Sequence, residues 1–432
     1  MRSRGFNIRQ GIIVLSIMKN RKIADLILQS SSSKTGRIIV LTGARQTGKT
    51  TLVRKLFPDY EYISVEDPVM RNQYSQLTAS QWKALFPNAI LDEVQKEPAL
   101  IESIKSVYDQ WTEPRYILLG SSQLLLLEKV KESLAGRSII IEFYPLTLPE
   151  LRTQSWDDQV EDSLFQRELK NVNSDTYLPS SLMDKKMVEK QKAWEHYLKV
   201  GAYPAVSDEE LTLEEKHEWL RNYVRTYLER DIRDLASFRD LEPFVKLQRY
   251  LAINTGNLIN ATAIATRLGL TSKTIQRYIR YFEISYQAIL LPAWSQNANK
   301  RLARMPKIHY MDNGIIQAVL QKRDGLTGNE FESLVVAEIY KQIQTIHIQV
   351  QLYHLRTHDG KEVDLLIEMP DYYFAVEIKM TDKVTKSDAK HLLGLENILN
   401  KPIKKAFILS NDRETKYFDE KIIAMNVTMF LG

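Results

Sequence analysis

The segment Gly43-Ala-Arg-Gln-Thr-Gly-Lys-Thr50 lies directly behind the apolar run Ile38-Ile-Val-Leu-Thr42 and ahead of Thr51-Leu-Val. Strand, glycine turn and helix start in that order, at that spacing, form a loop that cradles phosphates. Gly43 and Gly48 let the backbone turn so that successive N–H groups of Ala44, Arg45, Gln46 and Thr47 face an anion. Lys49 reaches the β and γ phosphates, and the Thr50 hydroxyl ligates Mg²⁺. The helix that begins at Thr50 and Thr51 adds its positive dipole end. The implied chemistry is binding of a nucleoside triphosphate, ATP with Mg²⁺. A chance glycine turn is the competing explanation, and the β-branched strand together with the full spacing argues against it.

A second segment extends binding to hydrolysis. Asn88-Ala-Ile-Leu-Asp92-Glu93 reads as a buried parallel strand ending in two acids, and ligands collect at the carboxyl ends of such strands. Asp92 would hold Mg²⁺, directly or through water, and Glu93 would act as general base on the attacking water. In isolation the two acids are a solvated pair at a strand end. A third strand, Tyr116-Ile-Leu-Leu-Gly-Ser121-Ser122, carries hydroxyls that either sense the γ-phosphate or are plain turn serines. Arg137, ahead of Ser138-Ile-Ile-Ile141, either neutralises transition-state charge, in its own or a neighbouring subunit, or forms a surface salt bridge.

These residues need elements to hold them. From Arg21 to Leu151 apolar strands alternate with helical stretches, which predicts a doubly wound parallel sheet, with a further strand at Tyr60-Glu-Tyr-Ile-Ser-Val65. Ser155 to Lys192 is charged and weakly periodic and reads as an insertion or mobile connector. Gly201-Ala-Tyr-Pro204 marks a turn. Leu213 to Ala236 carries Tyr223, Tyr227, Leu228, Ile232 and Leu235 at helical spacing and predicts a helical lid packed on the nucleotide domain.

The charge is unevenly spread. Phe244 to Tyr310 holds ten bases against one acid, a net +9, which leaves the rest of the chain at −4 within an overall +5. The segment predicts helices at Val245–Asn254, Ala261–Leu268 and Ser272–Ile284, the last two joined by the turn Gly269-Leu-Thr271, a helix-turn-helix pattern. Lys273, Arg277 and Arg280, with Ser272, Thr274 and Gln276, suit bases and phosphates of DNA. Ala288–Trp294, Lys300–Arg304 and Lys307–Tyr310 would form a hairpin wing whose basic tip rests on the DNA backbone. The competing explanation is a helical domain docked on the acidic remainder, using charge for assembly.

The last region opens on a helix from Gly328 and continues through strands at Gln349–Arg356, Lys361–Glu368 and Tyr373–Lys379. Glu377 and Lys379 share one strand face. Asp364, Glu377, the Ile378 carbonyl and Glu332 would gather a hard cation, and Lys379 would position a water for phosphodiester attack. Each acid alone is a solvated strand residue.

Taken together, the motifs Gly43–Thr51, Leu91-Asp-Glu-Val-Gln-Lys-Glu-Pro98, Leu119-Gly-Ser-Ser122, Leu134-Ala-Gly-Arg137, Gly201-Ala-Tyr-Pro204, Phe331-Glu332, Glu362-Val-Asp364 and Glu377-Ile-Lys379 resemble those of prokaryotic AAA-superfamily ATPases with a C-terminal domain of unknown function. The resemblance implies an α/β multidomain chain: an AAA-like P-loop ATPase, a helical lid and winged helix, and a terminal α/β domain similar to the PD-(D/E)xK, restriction-endonuclease-like fold. The expected division is an extension over 1–20, the ATPase domain over 21–150, insertion and lid over 151–240, the winged helix over 241–325 and the nuclease-like domain over 326–432. Ser155–Lys192 is longer than the usual link in such proteins.

With 432 residues the chain calls for several domains, and its composition is that of an ordinary globular protein. It has no cysteine, which excludes disulfides, thiolate zinc sites and cysteine nucleophiles. Gly11–Met18 is too short to span a membrane, and Lys19-Asn-Arg-Lys22 stands where a signal-peptide cleavage site belongs; a cytoplasmic protein, with Met18 as a second candidate start, is expected. Two functions fit these residues. One is an ATP-dependent, DNA-associated enzyme with a cutting terminal domain; the other is a nucleotide-controlled switch or scaffold, able to oligomerise, that binds a protein partner without cutting.

Overall fold

The computed structural model describes residues 18–120, 132–170, 184–227, 232, 240–297, 299, 301, 304–323, 325–346 and 348–432. Ser121 and Ser122, Lys300 and most of the stretch after Tyr227 therefore lie outside the described residues. The first sheet contains β1 (Ile38–Gly43), β2 (Glu61–Ser64), β3 (Asn88–Asp92), β4 (Arg115–Gly120) and β5 (Ser138–Phe143), in the order β2-β3-β4-β1-β5, all parallel. β1 is buried along its whole length because it lies inside the sheet with helices over both faces, which is why its sequence is a continuous apolar run and not an alternating one. The carboxyl ends of β1 and β3 lie on one edge, so the loop after Gly43 and the acids at Asp92 and Glu93 come together.

Beyond this sheet, helices Glu242–Ile253, Ala261–Leu268 and Ser272–Ile284 are followed by β6 (Ala288–Leu291) and β7 (Lys307–Tyr310), an antiparallel two-stranded ribbon. Thr271 caps the third helix by accepting from Thr274 N, and Gly269 ends the second at φ +67, so the turn Gly269–Thr271 is set by local chemistry. The terminal region packs the helix Gly328–Ile346 on a six-stranded mixed sheet. Its strands are β8 (Gln351–Arg356), β9 (Glu362–Glu368), β10 (Tyr373–Lys379), β11 (Ile403–Ser410), β12 (Lys416–Tyr417) and β13 (Ile422–Asn426), in the order β12-β13-β11-β10-β9-β8. The chain is thus an α/β multidomain protein with a P-loop NTPase sheet and a second, mixed sheet.

The packing sharpens two expectations. Ser155–Lys192 is not a connector in its described parts. Helix Leu164–Leu169 and helix Met187–Val200 put Leu164, Phe165, Leu169 and Trp194 into one core with Phe331, Val335, Phe407 and Phe430. Weak periodicity hid this because Leu164–Leu169 is short and buries Gln166 and Glu168 along with its apolar residues, so polarity does not mark an outer face. Of the expected lid, Leu213 to Ala236, the described helix Leu213–Tyr227 lines a cleft with Arg45, Gln46 and Glu93 of the nucleotide domain, and it also shares a core with the three basic helices through Leu220, Tyr223, Phe244 and Phe282.

Candidate functional site

The phosphate loop is shaped by its glycines. A Cβ on Gly43 would lie 2.0 Å from the Phe143 carbonyl, and Gly48 has φ +93, which favours glycine. Lys49, at the start of helix Lys49–Leu56, donates from Nζ to Gly43 O at 2.8 Å and Ala44 O at 2.7 Å, so its ammonium is folded over the mouth of the loop. Thr50 Oγ1 donates to Asp92 Oδ2 at 2.8 Å, and Tyr62 from β2 donates to the same oxygen at 2.9 Å. Asp92 Oδ1 accepts from Glu93 N at 3.0 Å. Glu93 has φ 56 and ψ 37, a left-handed conformation uncommon for a residue with a side chain, and its carboxylate accepts from Gln95 Nε2. Burial and the Asp92 charge push the Tyr62 phenol well above its ordinary range, so it remains a donor.

Two further groups support the loop. Arg21 is buried behind it, donating to Thr47 O at 2.9 Å and Tyr144 O at 2.6 Å, pairing with Glu150 at 3.2 Å and covering the Phe143 ring. Tyr286 donates to Thr42 Oγ1 at 3.2 Å, at the last turn of chain before Gly43. In front, a cleft of about 280 Å³ is lined by Arg45, Gln46 and Glu93 on one side and Trp219, Asn222 and Thr226 on the other. Gly201 lies against the Asp312 carboxylate, which accepts from Ala202 N at 2.7 Å and fixes the turn that carries Pro204 to within 3.9 Å of where a Gly48 Cβ would stand. Hard oxygen donors at Thr50 and Asp92, beside a glycine-bounded loop that leads into the N-terminus of helix Lys49–Leu56, fit Mg²⁺ and a triphosphate.

Arg137 is not brought to this site. It precedes β5, whose carboxyl end lies beside Gly43, so it stands about 17–20 Å away on the opposite edge of the sheet. There it holds Asp109 at 2.7 and 3.2 Å. Ser121 lies outside the described residues.

The residues expected to cut phosphodiesters do gather, with an unforeseen member. Lys307 of β7 is buried and reaches Glu332 at 3.0 Å, Glu362 at 3.2 Å and Asp364 at 3.4 Å. Asp364 Oδ2 also accepts from Ile378 N at 2.8 Å, and Lys379 pairs with Glu377 at 2.6 Å. Among the described residues no three His, Asp or Glu side chains form a ready cation cage. Arg301 meets Tyr353 and Glu368, at 2.9 and 3.3 Å, and Arg304 donates to Trp294 O and Arg356 O. The wing expected to rest on DNA thus spends Lys307, Arg301 and Arg304 inside the protein. Lys273, Arg277 and Arg280 remain on the exposed side of helix Ser272–Ile284, with Arg280 paired to Glu283.

The first sheet and its loop find a counterpart among known proteins. Residues 35–152 match the AAA domain family. Residues 191–325 and 327–430 match two domains of unknown function, DUF8612 and DUF4143. Uncharacterized proteins of Mycobacterium tuberculosis and Mycobacterium bovis are 26% identical over 374 residues, 83% of this chain and 74% of theirs. An uncharacterized protein of Methanocaldococcus jannaschii is 26% identical over 304 residues, 66% of this chain and 63% of its own length. Among solved structures, a Walker-type ATPase of Pyrococcus abyssi superposes with a TM-score of 0.45 at 14% identity, covering 70% of this chain and 96% of that one. Domain III of the Thermotoga maritima replication initiation protein DnaA gives 0.26 at 12% identity, over 46% of this chain and 90% of that domain. The AAA match and the loop point the same way, to a nucleotide-binding ATPase domain. No helix among the described residues is long and apolar enough to cross a membrane.

Proposed function

We propose that the chain is a Mg²⁺-dependent ATP hydrolase that uses turnover to change how its helical unit sits over the nucleotide loop. The observation that carries this reading is the contact of Thr50 Oγ1 with Asp92 Oδ2 at 2.8 Å, next to a Glu93 held in a left-handed conformation at the same strand end. Bound Mg²⁺ would offset charge between the β and γ phosphates, with Thr50 and Asp92 as its protein ligands. Lys49 would bind phosphate oxygens, and the backbone from Ala44 to Thr50 would cradle them. Glu93 would accept the proton of the attacking water. Trp219 and Asn222, across the cleft from Gln46 and Glu93, would sense whether the cleft is filled. Arg137 serves Asp109 in its own chain; Arg137→Ala should leave turnover unchanged, and a fall would assign it to a neighbouring subunit's site. Binding of a fluorescent ATP analogue tests the nucleotide and Mg²⁺ site. Asp92→Asn should keep nucleotide binding and lose its Mg²⁺ dependence, whereas equal Mg²⁺ dependence in the variant and wild type would remove Asp92 from the site.

A second reading, contact with DNA, rests on the exposed Lys273, Arg277 and Arg280 of one helix that follows a capped helix-turn-helix turn. We propose it as a limited footprint, because Lys307, Arg301 and Arg304 are committed elsewhere. Each neutralised phosphate steepens the salt dependence of log K by about 0.9. Three contacts therefore give a slope of about −3. Duplex titrations between low and moderate salt would read it, and a flat response would exclude this helix as a DNA contact.

A further inference from the structure

The acidic site of the terminal domain already has a cation, and that cation belongs to another part of the chain. Lys307 sits on β7, the second strand of the ribbon, yet its Nζ lies 3.0–3.4 Å from Glu332, Glu362 and Asp364. An ammonium has three donors and no acceptor, so three carboxylates satisfy it completely. His309, two residues further along β7 and therefore on the same face, is fully buried with both ring nitrogens unpartnered, and its Nε2 lies 4.0 Å from Glu332 Oε1. Glu377 Oε2 is likewise buried without a partner. The pocket therefore holds more ligand atoms than the ammonium uses. It does not fit a metal as folded, since Mg²⁺ needs oxygens at about 2.0–2.1 Å and the carboxylates are spread around a nitrogen instead.

We propose that Lys307 is the resident cation of this site, and that its ammonium and a divalent metal exclude one another there. The acids of the terminal domain are closed by a side chain of the neighbouring ribbon, and metal enters only where that ammonium is gone. Coulomb repulsion between an ammonium and a dication forbids joint occupancy at these distances. Removing the ammonium alone would leave buried carboxylates uncompensated, and a divalent cation would then restore neutrality. This inference stands apart from the nucleotide loop and would survive the failure of the hydrolase reading.

The test is a Mn²⁺ titration of the full, nucleotide-free chain, read by the electron paramagnetic resonance of free Mn²⁺. Wild type should show no binding that Asp364→Asn removes. Lys307→Met should gain one Mn²⁺ per chain, at least tenfold tighter than any wild-type site, and Lys307→Met with Asp364→Asn should lose it. Should circular dichroism show Lys307→Met unfolded, Lys307→Met with Glu332→Gln replaces it under the same criteria, because it removes both charges of one pair and keeps Glu362, Asp364 and Glu377. Asp364-dependent binding of equal strength in wild type, or a folded variant that gains no such site, would overturn the proposal.

Discussion

Glu93 and Asp92 are neighbours with separate contacts, and the backbone separates them. The left-handed turn at Glu93 directs its carboxylate to the cleft lined by Trp219 and Asn222, while Asp92 stays on Thr50 and Tyr62. Glu93→Gln preserves shape and removes the proposed base, so it should retain ATP binding and lower kcat by about 10²–10⁴-fold, the range for a positioned general base; an unchanged kcat in steady-state assays would move the base elsewhere. Lys49, Thr50, Asp92 and Glu93 were legible because a strand, a turn and a helix start are local signals in the sequence. Tyr62 and Arg21 were not. Tyr62 acts across a strand pair and Arg21 reaches Thr47 and Tyr144 from outside the motif, and tertiary distance leaves no trace in spacing.

At the scale of elements, the β6–β7 ribbon is where charge in the sequence says least about its partner. Its basic residues suggested a DNA-facing wing, but a run of charge does not say which partner neutralises it. The acids that do so, Glu332, Glu362, Asp364 and Glu368, come from other elements. Strand and helix positions themselves were readable, since Lys307–Tyr310, Tyr373–Lys379 and Ser272–Ile284 were expected at the bounds observed. The helix Gly328–Ile346 carries a second device. Lys341 and Glu338 form an ion pair at 2.8 Å with no exposure, and they tie Leu146 O and Leu148 N of the segment after the first sheet to the terminal domain. Lys341→Met should destabilise by about 3–5 kcal/mol, because it strands a buried carboxylate. Replacing both partners by apolar residues should recover most of that loss in urea unfolding, and no recovery would show that packing, not charge, sets the cost.

The molecule as a whole joins its parts by burial that no single segment advertises. Helices Leu164–Leu169 and Met187–Val200 complete the core of the terminal domain, and the expected lid completes that of the basic helices. That burial has a pH signature. Burial pushes His196 and His354 down to about 4, so the folded chain keeps them neutral while the unfolded chain protonates near its ordinary value of 6.5. The unfolded state therefore binds more protons between those values, and the stability present above pH 6.5 is lost as pH falls toward 4. Thermal unfolding should show Tm dropping from pH 7 to pH 5 and a shallower drop in His354→Gln; a Tm independent of pH over that interval would contradict the buried neutral state.

Phosphate release from ATP by the purified chain, measured with and without Mg²⁺ beside Lys49→Ala, bears on the nucleotide site most directly. Mg²⁺-dependent release by wild type, with the variant at background, is the predicted result. Equal release from both proteins, or none from a folded wild type that binds ATP and Mg²⁺, would contradict hydrolysis at the Gly43–Thr50 loop.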